Sequence, residues 1–169
     1  DVNSRTATGV LVAVLAGLVA LAVFVPGSRT ALALITGIIF LIMLHEFGHS
    51  MAGLGDEYYD SAISMDEDTM YPPGVEPWEP NITAFVGQRR TAIPWADLIE
   101  EPTPVPTPET EEYASVVGLF EGAGYKAKGL YRPQADCKMF HKGLVPFCHV
   151  CARSIQRMAR YHAGMELNP

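Results

Sequence analysis

The chain has 169 residues, of which 49% are hydrophobic and 18% charged, with a formal net charge of −7. That length suits one domain with a core of its own, and the composition excludes wholesale disorder and a coiled coil. The negative balance argues against a general nucleic-acid binder. The averages conceal a division. Residues 1–44 carry only Asp1, Arg5 and Arg29 as charges, residues 45–121 hold 16 acids and 2 bases, and residues 122–169 hold 8 bases and 2 acids. The surplus hydrophobicity therefore comes mostly from the first quarter of the chain.

Gly9–Val25 is an uncharged run of 17 residues, at the lower edge of the roughly 17–25 that span a bilayer. Ala and Leu dominate it, so helix is favoured over strand. It is read as a membrane anchor, with a signal-peptide core and a buried helix as the competing readings. Arg5 and Arg29 flank it almost equally, so no orientation follows. After the break at Pro26-Gly27-Ser28-Arg29, a second run of 14 residues, Ala31–Leu44, is too short for a span and is expected as a buried core helix. It should continue through His45 and His49 to about Met51 and end at Gly53-x-Gly55, since glycine readily adopts the left-handed cap. Asp56 to Glu79 is acidic without one base and reads as a solvated loop; a calcium site is the alternative, without EF-hand spacing. Pro102 to Pro108 reads as an extended surface connection. Arg153 to Met165 reads as a C-terminal amphipathic helix.

The sharpest feature is His45-Glu46-Phe47-Gly48-His49. On a helix, positions i and i+4 share a face, so two imidazoles so placed can hold one zinc ion. Glu46 then stands where a metal-activated water needs a base. A third ligand must follow. Asp56 and Glu57 both lie just beyond the glycine pair, and spacing alone does not choose between them.

His45 through Tyr58, HEFGHSMAGLGDEY, resembles the IgA-peptidase family of zinc metallopeptidases. The likeness continues in order through Asn81-Ile82-Thr83, IPWADLIE, TPVPTP, VGLFEGAGY, GLYRP, CKM and PFCHVC, covering about residues 45–155. The resemblance implies an α+β, zincin-like metallopeptidase catalytic domain with a long apolar active-site helix. It implies a zinc bound by His45, His49 and Asp56, with Glu46 as general base and then acid. It also implies a methionine turn at Met139 beneath the metal. The developing oxyanion needs a second electrophile, for which Tyr131 is the first candidate and His141 the second. Arg132 is read as a structural ion pair, with a substrate carboxylate as the alternative partner.

Three cysteines, Cys137, Cys148 and Cys151, allow one disulfide. The favoured pairing joins Cys137 to Cys148 or Cys151, in keeping with an oxidising compartment. A structural zinc on the three thiols with His141 or His149 is the alternative. Asn81-Ile82-Thr83 matches the glycosylation pattern, but a turn or cap role is preferred.

The resemblance stops at the first 44 residues, which do not look like the mixed sheet the family carries before its active-site helix. The expected organisation is therefore an apolar N-terminal segment, residues 1–30, and a metallopeptidase domain with a reduced sheet, residues 31–169. The expected function is a zinc-dependent endopeptidase that hydrolyses peptide bonds through a zinc-bound water activated by Glu46. It would act on a protein or peptide, outside the cytoplasm of a bacterial-type cell envelope, either secreted or membrane-anchored through Gly9–Val25. The alternatives are a non-catalytic zinc-bound binding or structural module, and an intramembrane site-2-like protease, which would need a further ligand on a later apolar helix.

Overall fold

An apolar run has few side chains that compete with the backbone for hydrogen bonds, and the second run folds accordingly as one helix. In the computed structural model, which describes residues 27–59 and 70–165 together with Gly17 and Ala20, α1 spans Ser28–Ala52, 25 residues. The anchor expected at Gly9–Val25 otherwise lies outside the described residues, as does the middle of the acidic stretch, residues 60–69.

The helix ends as the glycine pair requires. Gly53 sits at φ 60° and donates its amide to the His49 carbonyl at 3.0 Å, the left-handed closing turn. A Cβ at Gly53 would approach the Trp78 ring to 2.8 Å, but Trp78 is exposed and free to swing away. The remaining cost of Gly53→Ala is that of the backbone, about 1–2 kcal/mol. A denaturant titration should find that loss, with an unchanged slope.

One expectation for α1 is corrected. Ala31–Leu44 is not the buried core helix its length pointed to: Leu34 is 64%, Phe40 59% and Met43 63% exposed. Burial begins only at His45. Run length says nothing about which face packs, and this run has no polar stripe to mark an outer face. By length and composition, Arg29–Ala52 suffices to cross a membrane. The chain divides into two compact units, Asp1–Leu41 and Ile42–Pro169, with the division inside α1.

Within the second unit the chain turns through three short 3-10 segments, Arg90–Ala92, Ala96–Leu98 and Glu111–Tyr113. A hairpin of β1 (Phe120–Ala123) and β2 (Lys126–Arg132) follows, paired antiparallel with Phe120 opposite Arg132. The last element is α2, His149–His162. The architecture is α+β, with a two-stranded sheet among the described residues. The main core gathers Leu54, Trp95, Leu119, Met139 and Val150, and a smaller one gathers Tyr71, Ile82, Ala123 and Leu130. Trp95 is fully buried and donates its indole N–H to the Gly118 carbonyl at 2.8 Å.

The proline-rich connection is exposed at its prolines but turns Thr103 and Thr107 inward. Thr107 exchanges bonds with Leu119, and the Arg90 guanidinium gathers the carbonyls of Ile99, Glu100 and Thr103. The C-terminal helix starts earlier than Arg153. Cys148 is its N-cap, with Sγ accepting the Cys151 amide at 3.5 Å, so the whole of Cys148-x-x-Cys151 belongs to its first turn. The expected disulfide is absent. All three cysteines are buried free thiols, and Cys137 Sγ lies 3.7 Å from Cys151 Sγ, far beyond the roughly 2.05 Å of a sulfur–sulfur bond. The argument from a disulfide to an oxidising compartment goes with it.

Candidate metal centre

The last turns of α1 put His45 and His49 on one face, and the chain reversal at Gly53 returns Asp56 to them. His45 Nε2 lies 2.9 Å and His49 Nε2 3.2 Å from Asp56 Oδ1, and the two Nε2 atoms are 3.2 Å apart. His45 is fully buried and Asp56 nearly so. The far side of each ring assigns its proton. His45 Nδ1 is 2.8 Å from the Lys138 carbonyl and His49 Nδ1 is 2.6 Å from the Leu54 carbonyl. A carbonyl only accepts, so both Nδ1 atoms carry hydrogen, and in the neutral rings that bind a metal both Nε2 atoms are bare. Two lone pairs and a carboxylate oxygen then face one another with no proton between them. That donor set fits a divalent cation, with each imidazole oriented through its other nitrogen.

The second Asp56 oxygen is held separately. Tyr58 Oη donates to Oδ2 at 2.9 Å, and Tyr125 Oη donates to it as well. Burial alone would raise the Asp56 carboxyl, but the contacts with His45 and His49 and the hydrogen bonds donated by Tyr125 and Tyr58 outweigh it and hold the group well below the usual carboxylate range. Burial, together with the Asp56 charge, drives the Tyr125 hydroxyl far up, so it remains a donor. Tyr125 reaches Asp56 from the tip of the hairpin. Gly124 and Tyr125 both have positive φ, 56° and 67°, as a tight two-residue turn demands. Gly124 donates its amide to the Asp56 carbonyl at 2.8 Å and Tyr125 to the Tyr58 carbonyl at 2.9 Å. Tyrosine is rare in the left-handed region. Here its two bonds onto the Asp56–Tyr58 segment fix it there.

Asp56 and Glu57 part company because neighbouring residues of extended chain face opposite ways. Asp56 meets the histidines, whereas Glu57 is fully buried beside Cys137, Cys148 and Cys151. Asn81 enforces that choice. Its side-chain amide accepts the Gly55 N–H at 2.8 Å and donates to the Gly55 carbonyl at 2.9 Å and to Glu57 Oε1 at 2.8 Å. Fully buried, it serves as a splint for the ligand segment and offers no glycosylation site.

Glu46 lies on the exposed side of α1, 3.8 Å from Lys142 Nζ. Its charge is among those felt by the Tyr58 hydroxyl. Met139 is fully buried beneath Gly48, where an added Cβ would come within 2.7 Å of its sulfur. Only glycine between Phe47 and His49 lets the helix lie so close. Tyr131 pairs through its backbone with Thr83, and its ring packs on Phe85 at 5.9 Å. His141 is exposed and bonds Asp136 at 2.7 Å. Arg132 is fully buried, ion-paired to Glu109 and stacked over Phe140 at 4.6 Å, which is the structural role. Tyr58 and Tyr125 were not singled out in the sequence. The only signal for Tyr125 is the Ala-Gly-Tyr-Lys turn between two short strands.

With that geometry in hand, the comparison with known families is decisive. The model of the IgA peptidase M64 family matches residues 24–114 and 109–159.

The chain belongs to the IgA peptidase M64 family.

No curated protein matches it. The M64 match covers the motifs from HEFGHSMAGLGDEY to PFCHVC and begins at residue 24, inside the first apolar run. Residues 24–44, which the motif reading set outside the family, thus fall within it. Membership makes the chain a peptidase-family protein, whose substrates are proteins or peptides and whose chemistry points to a metal. A site-2 arrangement is not favoured: among the described residues, the one helix apolar and long enough to cross a membrane is α1 itself, which carries the histidines.

Proposed function

We propose that the chain is a zinc-dependent endopeptidase of zincin-like design, with His45, His49 and Asp56 as the metal ligands and Glu46 as the proton carrier. The observation that supports it most is the convergence of two bare Nε2 atoms and Asp56 Oδ1 in a shielded corner of an M64 chain. A bound zinc supplies a Lewis acid that polarises the scissile carbonyl and brings the pKa of a water toward about 7.

The chain's own residues do the rest. Glu46 is exposed at 58% of its side chain, open to solvent and substrate alike. Its carboxylate takes a proton from the attacking water and returns it to the leaving amine. Lys138 and Leu54 hold the two imidazoles in one tautomer through their carbonyls. Tyr58 and Tyr125 are positioning residues: by occupying Asp56 Oδ2 they keep Oδ1 turned to the histidines. Residues 24–44 and the run before them support export or anchoring at a cell envelope.

Two measurements check this reading. A strong chelator should abolish hydrolysis of a broad protein substrate such as casein, and added zinc should restore it; activity that survives metal removal would sink the mechanism. Tyr125→Phe should weaken zinc by about 10- to 100-fold in a chelator competition, the usual loss when a partner behind a ligand is removed. The zinc-saturated variant should keep most of its kcat. Tyr131→Phe should leave zinc affinity unchanged.

A further inference from the structure

A second set of ligand-type side chains lies behind the first. Glu57, Cys137, Cys148 and Cys151 are all buried, and one donor atom from each falls within 4.8 Å of the others. They come from three parts of the fold: the ligand segment after α1, the turn that carries Met139, and the first turn of α2. Cys137 Sγ and Cys151 Sγ are 3.7 Å apart, and Cys151 Sγ is 3.2 Å from Glu57 Oε1. The edge of a tetrahedron of thiolates around zinc, at a metal–sulfur distance of about 2.3 Å, is about 3.8 Å. Cys137 and Cys151 already stand at that spacing.

Two further observations point to an ion. Glu57 Oε2 is a fully buried carboxylate oxygen with no hydrogen-bond partner, and such groups are costly unless something outside the protein chain meets them. The sulfurs, in turn, are supplied with backbone amides. Cys137 Sγ accepts from Met139 N at 3.4 Å and from Cys148 N at 3.2 Å, and Cys148 Sγ accepts from Cys151 N at 3.5 Å. Amide donors aimed at sulfur, at the amino end of a 14-residue helix, favour thiolate over thiol.

We propose that Glu57, Cys137, Cys148 and Cys151 bind a structural zinc ion, separate from the His45–His49–Asp56 centre. Four protein donors in a closed, buried, sulfur-rich set suit tetrahedral zinc with no open position for water. Binding displaces the thiol protons to solvent, including the one Cys151 donates to Glu57 Oε1, and brings Glu57 in as the fourth ligand. Four anionic ligands exceed the charge of the ion. The amide donors, the amino end of α2, the Asn81 amide on Glu57 and the field of the buried Arg132 guanidinium offset the excess. The ion would tie α2 and the Met139 turn to the segment that presents Asp56. It does not rest on the catalytic reading, because none of its ligands belongs to that centre.

Cobalt substitution tests it on the intact chain. The His45–His49–Asp56 centre contains no sulfur, so a sulfur-to-cobalt charge-transfer band in the near ultraviolet reports the cysteine site alone. The cobalt-loaded wild type should show a strong band of this kind. In His45→Ala the band should persist at full intensity with one cobalt per chain, and in Cys148→Ser it should fall sharply. Because Cys148→Ser risks misfolding, the wild-type and His45→Ala spectra decide the matter. A wild type that takes up cobalt without the band overturns the proposal. So does a folded, cobalt-treated chain whose cysteines are found paired as a disulfide by mass.

Discussion

Glu46→Gln should leave zinc binding intact and lower kcat/KM by about 10²–10⁴, the usual contribution of a positioned acid–base group. Glu46 makes no bond to the histidines or to Asp56; its described partner is Lys142 at 3.8 Å, on the surface. The amide keeps the shape and hydrogen-bonding reach of the carboxylate but cannot accept the water's proton at neutral pH. Stability should stay within about 0.5 kcal/mol of wild type, since an exposed substitution away from caps and networks rarely does more. Metal content, thermal midpoint and casein hydrolysis measured on one preparation separate these effects. Equal hydrolysis by variant and wild type would remove Glu46 from the mechanism. Loss of metal would make it a structural residue instead.

Arg132→Met should destabilise the second unit by about 2–5 kcal/mol, since it leaves two buried carbonyls unsatisfied at about 1–3 kcal/mol each. A typical domain is stable by only about 5–15 kcal/mol, so this is a large share. The guanidinium donates to the Glu121 and Gly122 carbonyls at 2.8 Å each, pairs with Glu109, and lies over Phe140, Tyr59 and Phe120. Methionine retains the apolar stem but strands both carbonyls at the β1 irregularity that carries Gly122. Arg132→Lys should recover part of the loss, because an ammonium cannot span the same acceptors or stack on the rings. Chemical denaturation gives the stability directly. An Arg132→Met chain that is as stable as wild type but has a raised KM would return Arg132 to the substrate-binding role that its burial argues against.

The helix and its stop were legible because both are local. A run of apolar residues, a histidine pair four apart and a glycine at the turn contain the information for α1, its face and its cap. Burial was not legible. Ala31–Leu44 has the length of a core helix, but nothing local says whether protein covers it, and Leu34, Phe40 and Met43 are exposed. The choice between Asp56 and Glu57 was equally hidden. It depends on the alternation of an extended segment whose register is set by Asn81, and the contact from Asn81 to Gly55 spans 26 positions.

The cysteines were misread for a related reason. Counting three thiols leaves a disulfide as the simplest partner, and the only nearby candidates for a fourth ligand were His141 and His149. Cys151 instead meets Glu57 at a separation of 94 positions. Tyr131 and Tyr125 show the same limit. Both lie on the hairpin, but the one that reaches Asp56 is the one at the turn, where a left-handed backbone redirects the side chain. Motif order identified the region; side-chain direction needed the backbone.

Anomalous diffraction at the zinc edge on crystals of the zinc-loaded chain tests the central claim most directly. The account predicts a peak bounded by His45 Nε2, His49 Nε2 and an Asp56 oxygen, at the roughly 2.0–2.2 Å of zinc–nitrogen and zinc–oxygen bonds. A map with no peak among those three side chains, in crystals soaked with excess zinc, would contradict it.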